Sequence, residues 1–413
     1  MLGFTFPGQG SQRPGMGAAW VEHPSWEVVA EASEVAGRDI ARLLLDADQA
    51  ELTLTANAQL ATFVLSLVVL DAIERLGLAP TACAGHSLGE YTALAASGAL
   101  AFEDGVRLVV ERGEAMHAAA AERPGTMAAL LGIDDDNAAI ACQRAEGEVW
   151  VANYNAPGQI VIAGSAEAVA TAGAIAKELG ARKVLPFPVA GAFHTTLMIS
   201  ARPRLRKALS DVEFLDAEVS VVANVDAQPH SHADEWSGLL SAQLCSPVRW
   251  RQSLASLADL GVTCLVEVGP GGVLTGLAKR TVPDLKAVSI AAPDDLDTLV
   301  EAAASNDTWT AYVAAHQGEH LYTSERVVVS PGAGVFLPDQ GVEVPGPSTL
   351  QKVDVHQPDV VGPMVGVGDL VGTVGDKEVR TAFAGQLVAF LAHPGERVVL
   401  GQPVAWLRVT PRS

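Results

Sequence analysis

The chain has 413 residues, of which 49% are hydrophobic and 5% aromatic, and it carries a net charge of −21. That length exceeds what one hydrophobic core supports, so two or three structural units are expected, and the apolar fraction excludes a disordered or fibrous chain. The acidic balance argues against broad binding to nucleic acid or an anionic membrane, both of which need a positive field.

Taken from the N-terminus, MLGFTFPGQG has no basic region followed by an apolar core, and no run approaches ~18 uninterrupted apolar residues. Neither a secretion signal nor a membrane span is read, and a cytoplasmic protein is expected. GFTFP reads as a strand, QLATFVLSLVVLDAIERLG as a helix, TACAG as a strand, and Glu90–Gly98 and Phe102–Ala121 as helices. This alternation predicts parallel strands with helical crossovers. From about residue 125 the pattern changes: TMAALLGI and QIVIAGS read as strands, SAEAVATAGAIAKELG as a helix and ARKVLPFPV as a strand, which predicts an inserted ferredoxin-like α+β unit over 125–194. The α/β core is then 1–124 with 195–303, resumed by the helix ISARPRLRKALSDV, the strand VSVVANV, a further helix and the strand in CLVEVGPGG. Residues 304–325 are polar and without period, and read as a linker. From 326 onward the chain is rich in Val and Gly with regular turn signals, which predicts a small all-β domain over 326–413. It carries a weak internal repeat, RVVVSPGAGVFLP with VGVGDLVGTV against EVRTAFAGQLVAFL with PGERVVLGQPVAWL.

Cys83, Cys142, Cys245 and Cys264 lack CxxC spacing and read as reduced, buried thiols; no metal site is read. The one basic cluster is Arg202, Arg204, Arg206 and Lys207, with Arg182 and Lys183 upstream, and is either a solvated helix face or a patch that steers an acidic partner.

Gly85-His86-Ser87-Leu88-Gly89 places a serine between glycines at a strand-to-helix turn. Such an elbow lifts the hydroxyl to a helix N-terminus beside free backbone N–H groups; the alternative is a helix-capping serine. A serine nucleophile needs a base, and among ten histidines His194 stands in a small-residue turn, VAGAFHTTLM, where loop chemistry is expected. His86 adjoins the serine and must point elsewhere, as a structural or pocket-lining group. No GK[ST] follows the glycines, which excludes a phosphate loop.

Six ordered motifs, FPGQGSQ (6–12), GHSLGEY (85–91), RG (112–113), NAPGQIVIAG (155–164), FHTTLM (193–198) and VEVGPGGVLTGL (266–277), resemble the malonyl-CoA:acyl carrier protein transacylases and related acyltransferase domains of fatty acid and polyketide synthesis. The resemblance implies an α/β-hydrolase-like core and, at the matching positions, Ser87 as nucleophile and His194 as its base, with the backbone N–H groups of Gln9 and Leu88 as an oxyanion hole. It further implies that Arg112, with Gln59, receives the malonyl carboxylate, although Leu60 stands where the family has proline. Phe193 matches the malonyl-selecting members, in which the ring crowds an α-methyl branch, and His86 lines the same pocket. A main-chain carbonyl of an NPVQW-like segment orients the histidine in the family; the counterpart here is SPVRW (246–250), which assigns that role to Arg249. Malonyl-CoA and an acidic acyl carrier protein are the implied partners, and coenzyme A enters only as the substrate thioester, with no resident cofactor expected. With His194 a few residues upstream, Arg202, Arg204, Arg206 and Lys207 become candidates for carrier docking.

The β tail resembles the biotinyl and lipoyl carrier domains, flattened barrels of two quasi-equivalent halves. Lys377 in TVGDKEV is only eight residues before Gly385 and lacks their modification motif. The segment reads instead as a hairpin with Gly375-Asp376 as its two-residue turn, so neither biotin nor lipoate is expected. Two other readings stay open: a serine hydrolase, which shares the elbow but needs an acidic third member, and a non-enzymatic scaffold.

Overall fold

The computed structural model describes residues 1–304, 325–339, 363–375, 377–381 and 385–408. They divide into two compact units, Met1–Ala72 with Pro80–Asn306, and Ile73–Ala79 with Asp307–Ser413.

In the first unit β1 (Leu2–Phe6), β2 (Ala82–Gly85), β3 (Thr126–Leu131), β4 (Val149–Ala156), β5 (Gln159–Gly164), β6 (Lys183–Pro186), β7 (Ser220–Val222), β8 (Pro229–His230), β9 (Cys264–Val268) and β10 (Lys286–Ile290) follow in chain order. Six form one sheet, β10-β9-β1-β2-β7-β8, in which only the short edge strand β8 runs antiparallel. Every residue of β1, β2 and β9 is buried, as expected where helices cover both faces of a parallel sheet. The helix Thr55–Arg75 is long and apolar enough to cross a membrane by composition, yet its apolar stretch is entirely buried inside the protein. All four cysteines are free thiols; Cys83, Cys142 and Cys264 are buried and Cys245 partly so. The VEVGPGG motif has a structural explanation: buried Glu267, near the end of β9, accepts the N–H groups of Gly272, Leu274 and Thr275 and so caps the helix Val273–Thr281.

The inserted unit pairs β4-β5-β3-β6 with every neighbour antiparallel, and its helices Asp135–Arg144 and Ala166–Glu178 complete the split βαβ order predicted for 125–194. Leu130, Ile160 and Ile162 are fully buried against Ala138, Ala141, Ala168, Ala172 and Ala176, small residues that let both helices lie close to the sheet.

The second unit holds β11 (Glu325–Val329), β12 (Gly334–Pro338), β13 (Met364–Val365), β14 (Leu370–Val374), β15 (Lys377–Arg380), β16 (Gly385–Phe390), β17 (Arg397–Val398) and β18 (Pro403–Arg408). Its sheets are ordered β11-β18-β16-β13 and β15-β14-β12-β17. Exchanging each strand for the one four places along turns the first order into the second, so the weak sequence repeat is a structural pseudo-twofold. Phe336, Val371, Leu387, Val404 and Leu407 are fully buried between the sheets. In the expected hairpin Val374 pairs with Lys377, and Gly375 takes the positive φ of 63° that such a two-residue turn requires; Asp376 lies outside the described residues. So does nearly all of the linker expected over 304–325.

Candidate active site

β2 ends at Gly85 and the helix Gly89–Ala96 starts at once, so His86, Ser87 and Leu88 make the whole turn. Ser87 has φ 54°, a left-handed conformation that costs a non-glycine residue about 1–3 kcal/mol and persists only when its surroundings enforce it. Asn224 does so from beyond the end of β7: its Oδ1 accepts the Ser87 N–H at 2.7 Å and its Nδ2 donates to Gly85 O at 2.6 Å. Gly89 allows the fold-back, since a Cβ there would stand 2.0 Å from Phe6 O on β1.

His194 also has a positive φ, 61°, and is buried. Its Nδ1 lies 3.0 Å from Gln243 O; a carbonyl only accepts, so Nδ1 carries the proton and Nε2, 2.7 Å from Ser87 Oγ, is left to accept the hydroxyl proton. Burial, and next the positive charge of Arg112, push the imidazole down to about 3, so it is neutral at physiological pH. The orienting carbonyl is thus Gln243 and not Arg249. Arg249 O accepts instead from the N–H and hydroxyl of Ser253 at the start of the helix Trp250–Asp259, and its side chain donates to Val225 O. The SPVRW segment serves by pairing Val248 with β4 and by placing Trp250 edge-on to His86, at 5.5 Å.

Arg112 projects from the helix Phe102–Glu122 and is only 1% exposed. Nη2 donates to Ser87 Oγ at 3.0 Å and to Gln243 Oε1 at 2.9 Å, and Nη1 donates to Gln59 Oε1 at 2.6 Å. The guanidinium lies 5.3 Å from the centre of the Tyr91 ring, and its Nε has no partner among the described residues. Among the described residues no carboxylate pairs with it by a hydrogen bond, so a buried cation is held on two amides and a hydroxyl. Gln59 stays buried in spite of Leu60, with Nε2 donating to Met116 Sδ at 3.3 Å.

The N–H groups of Gln9 and Leu88 meet no acceptor among the described residues. The loop bearing Gln9 lies against the elbow, since a Cβ on Gly8 would meet His86 O at 2.4 Å. His86 turns away from Ser87: its Nε2 is 2.9 Å from Asn155 Oδ1 on β4, and burial lowers its pKa. Phe193 is buried against Gly191, whose added Cβ would stand 2.5 Å from the ring.

The basic cluster is not brought into this constellation. Arg202 and Arg206 both donate to Ser241 Oγ, Arg204 pairs with Glu111, and Arg204 and Lys207 border a surface cleft of about 610 Å³ with Asp104, Arg107 and Asp211. Four residues that sequence reading did not single out complete the site: Glu90, Asn155, Asn224 and Gln243. Glu90 and Asn155 lie inside the GHSLGEY and NAPGQ motifs, and Asn224 is a polar residue just past a strand. Gln243 carries no pattern signal.

An activated serine, a neutral base, a pair of free N–H donors and a buried cation suit the capture of an acyl group that carries a carboxylate. The family model described as acyl transferase domain matches residues 3–294. A malonyl-CoA–acyl carrier protein transacylase of Bacillus subtilis is 40% identical over 305 residues, covering 73% of this chain and 96% of its own, and its Escherichia coli counterpart is 43% identical over 303 residues, covering 72% and 98%. Among solved structures, an acyl carrier protein S-malonyltransferase of Vibrio cholerae aligns at 39% identity with a TM-score of 0.70, covering 72% of this chain and 99% of that one. A malonyl-transacylase solved in complex with a type II polyketide synthase acyl carrier protein aligns at 38% with a TM-score of 0.71, covering 73% and 99%. With the elbow, the histidine and the buried arginine at the matching motifs, the chain belongs to the acyl transferase family, among the malonyl-CoA–acyl carrier protein transacylases.

Proposed function

We propose that the protein moves a malonyl group from malonyl-CoA to the phosphopantetheine thiol of an acyl carrier protein, supplying fatty acid or polyketide synthesis. The observation that carries this reading is Ser87 Oγ standing at once 2.7 Å from His194 Nε2 and 3.0 Å from Nη2 of the buried Arg112. His194 takes the hydroxyl proton as Ser87 attacks the thioester carbonyl, and the developing oxyanion meets the N–H groups of Gln9 and Leu88. Collapse expels the coenzyme A thiolate, which takes the proton back from His194 and leaves malonyl-Ser87. The carrier thiol then attacks that ester in the same way and restores the serine. Arg112, with Gln59, receives the carboxylate, and Phe193 and His86 shape the pocket against branched acyl groups.

A malonyl-enzyme that persists in buffer and is discharged on adding carrier protein is the expected result. Discharge by water at a comparable rate would support the serine hydrolase instead. The missing acidic partner of His194 and the buried Arg112 favour transfer.

Arg202, Arg204, Arg206 and Lys207 steer the acidic carrier; charge reversal at Arg204 and Arg206 is expected to raise the KM for carrier at low salt, and an unchanged KM would oppose this. The tail is a biotinyl/lipoyl-like barrel without its modification. The pseudo-twofold strand order supports this, as does Lys377, which lies beside the turn with Nζ donating to Pro331 O at 3.2 Å. An intact mass equal to that of the unmodified sequence is expected, and a biotinyl or lipoyl adduct on Lys377 would overturn it. Coenzyme A chemistry and four free thiols favour a cytoplasmic location.

A further inference from the structure

Gln243 touches almost every part of the site. Its main-chain O holds His194, its Oε1 accepts from Arg112, and its Nε2 donates both to Ser87 O at 2.8 Å and to Glu90 Oε2 at 2.6 Å. The two ends of an amide are nearly the same in shape and opposite in hydrogen bonding, so shape alone does not decide which end faces Arg112. Glu90, in the first turn of the helix that follows the elbow, is completely buried, and its other oxygen accepts the Asn224 N–H at 3.3 Å. Once ionised, above about pH 7, the carboxylate only accepts, so its neighbour must turn the NH2 toward it and the oxygen away. We propose that Glu90 is a positioning residue for the carboxylate-binding cation: together with the Ser87 carbonyl it fixes the Gln243 amide with its oxygen on Arg112, and so holds the guanidinium aimed at the acyl pocket and sets selectivity for acyl groups that bear a carboxylate. Were the amide to turn over, its NH2 would face a guanidinium that can only donate, and Arg112 would be pushed off its position.

The burial of Glu90 is otherwise unexplained. It makes no ion-pair contact among the described residues, and desolvation raises its carboxyl to about 7, so the fold bears a cost to keep an acid there where an apolar side chain would fill the space. Arg112 and Asp226 are the charged groups that bear on it, with opposite signs.

The inference rests on the reading of Arg112 as the carboxylate receptor, and the test separates the two. Acylation of Ser87 is measured by quenched-flow intact mass with malonyl-CoA and with acetyl-CoA, which lacks the carboxylate. Glu90→Gln, equal in shape but able to donate, is expected to lower the malonyl-to-acetyl ratio of kcat/KM by about tenfold, through a higher KM for malonyl-CoA. Glu90→Asp, which can only accept, is expected to recover most of that ratio. Gln243→Met keeps the main-chain carbonyl and removes the amide, so adding Glu90→Gln to it should lower the ratio no further. A parallel fall for both thioesters, no change in the ratio, or a further drop in the double variant would each overturn the proposal. Arg112→Met reports on the underlying reading: if it leaves the ratio intact, Arg112 is not the carboxylate receptor, whereas if it collapses the ratio and Glu90→Gln does not, only the role of Glu90 falls. If Glu90→Gln does not fold, the Gln243→Met and Glu90→Asp arms still decide, since a ratio unmoved by Gln243→Met removes the proposed route.

Discussion

Substituting Gly89 by alanine tests whether the elbow geometry, rather than the serine alone, makes the site. The added Cβ would lie 2.0 Å from Phe6 O, 2.7 Å from Phe6 C and 3.0 Å from Pro7 O, all backbone atoms of β1 and the loop that leads to Gln9. An ordinary contact needs ~3.4 Å or more, so the helix start must withdraw from β1 by roughly 1.4 Å, and neither side is a flexible side chain that could yield. That overpacking costs about 1–3 kcal/mol of stability. The functional loss is expected to be larger in proportion, because Ser87 Oγ sits at 2.7 Å from His194 Nε2 and the Gln9 N–H moves with the displaced loop. A misplacement of ~1 Å costs about a hundredfold in rate. The assay pairs thermal denaturation with the single-turnover rate of Ser87 acylation by malonyl-CoA. A variant that remains folded and acylates within about threefold of the parent would refute the claim that close approach of helix and strand sets the reacting geometry.

Phe193→Ala opens the space beside Gly191 and is expected to narrow the preference for malonyl-CoA over methylmalonyl-CoA by about tenfold or more, measured by competitive loading; an unchanged preference would remove Phe193 from selectivity. The two buried titratable groups pull pH stability in opposite directions. His194, depressed to about 3, is kept neutral by the fold while the unfolded chain takes up a proton below pH 6.5, so this group makes stability fall on acidification through that window. Glu90, raised from 4.5 to about 7, binds its proton more tightly when folded, so its contribution falls as pH rises from 4.5 to 7, by about 3 kcal/mol in all. Glu90→Gln should therefore melt no lower than the parent at pH 8 and gain less on mild acidification; a large loss of stability at pH 8 would mean that Glu90 stabilises the fold. Because the imidazole is already neutral, acylation by acetyl-CoA should show no inflection near pH 6.5, and a clear one would contradict the burial of His194.

The core strands and part of the inserted unit were legible because their signals are local: β1, β2, β5 and β9 are short apolar runs bounded by turn residues, whereas the helix Asp135–Arg144 was not read. β4 was not read, because Asn153 and Asn155 interrupt its apolar pattern. Asn153 bridges to Val248 and Asn155 holds His86, so the residues that hide the strand are those that join the inserted unit to the site. Ser87, His194 and Arg112 were found through motifs, and the structure brings all three within hydrogen-bond reach. Gln243 could not be found that way, because it acts through its carbonyl, on a histidine 49 residues away, and through an amide whose partners lie 131 to 156 residues away. The same limit misplaced the orienting carbonyl on Arg249: a main-chain acceptor leaves no trace in side-chain identity. In the tail, the weak repeat was the correct signal, since each half places its four strands at matching positions of the two sheets.

The central claim is that the acyl group travels through Ser87. Mixing the full-length protein with malonyl-CoA, quenching in acid and mapping the adduct by peptide mass spectrometry, before and after adding phosphopantetheinylated carrier protein, tests it most directly. The expected result is one malonyl group on the peptide that contains Ser87, absent in Ser87→Ala, and its loss in step with the appearance of malonyl-carrier. Malonyl-carrier formed at the parent rate by Ser87→Ala, or an adduct on another residue, would contradict it.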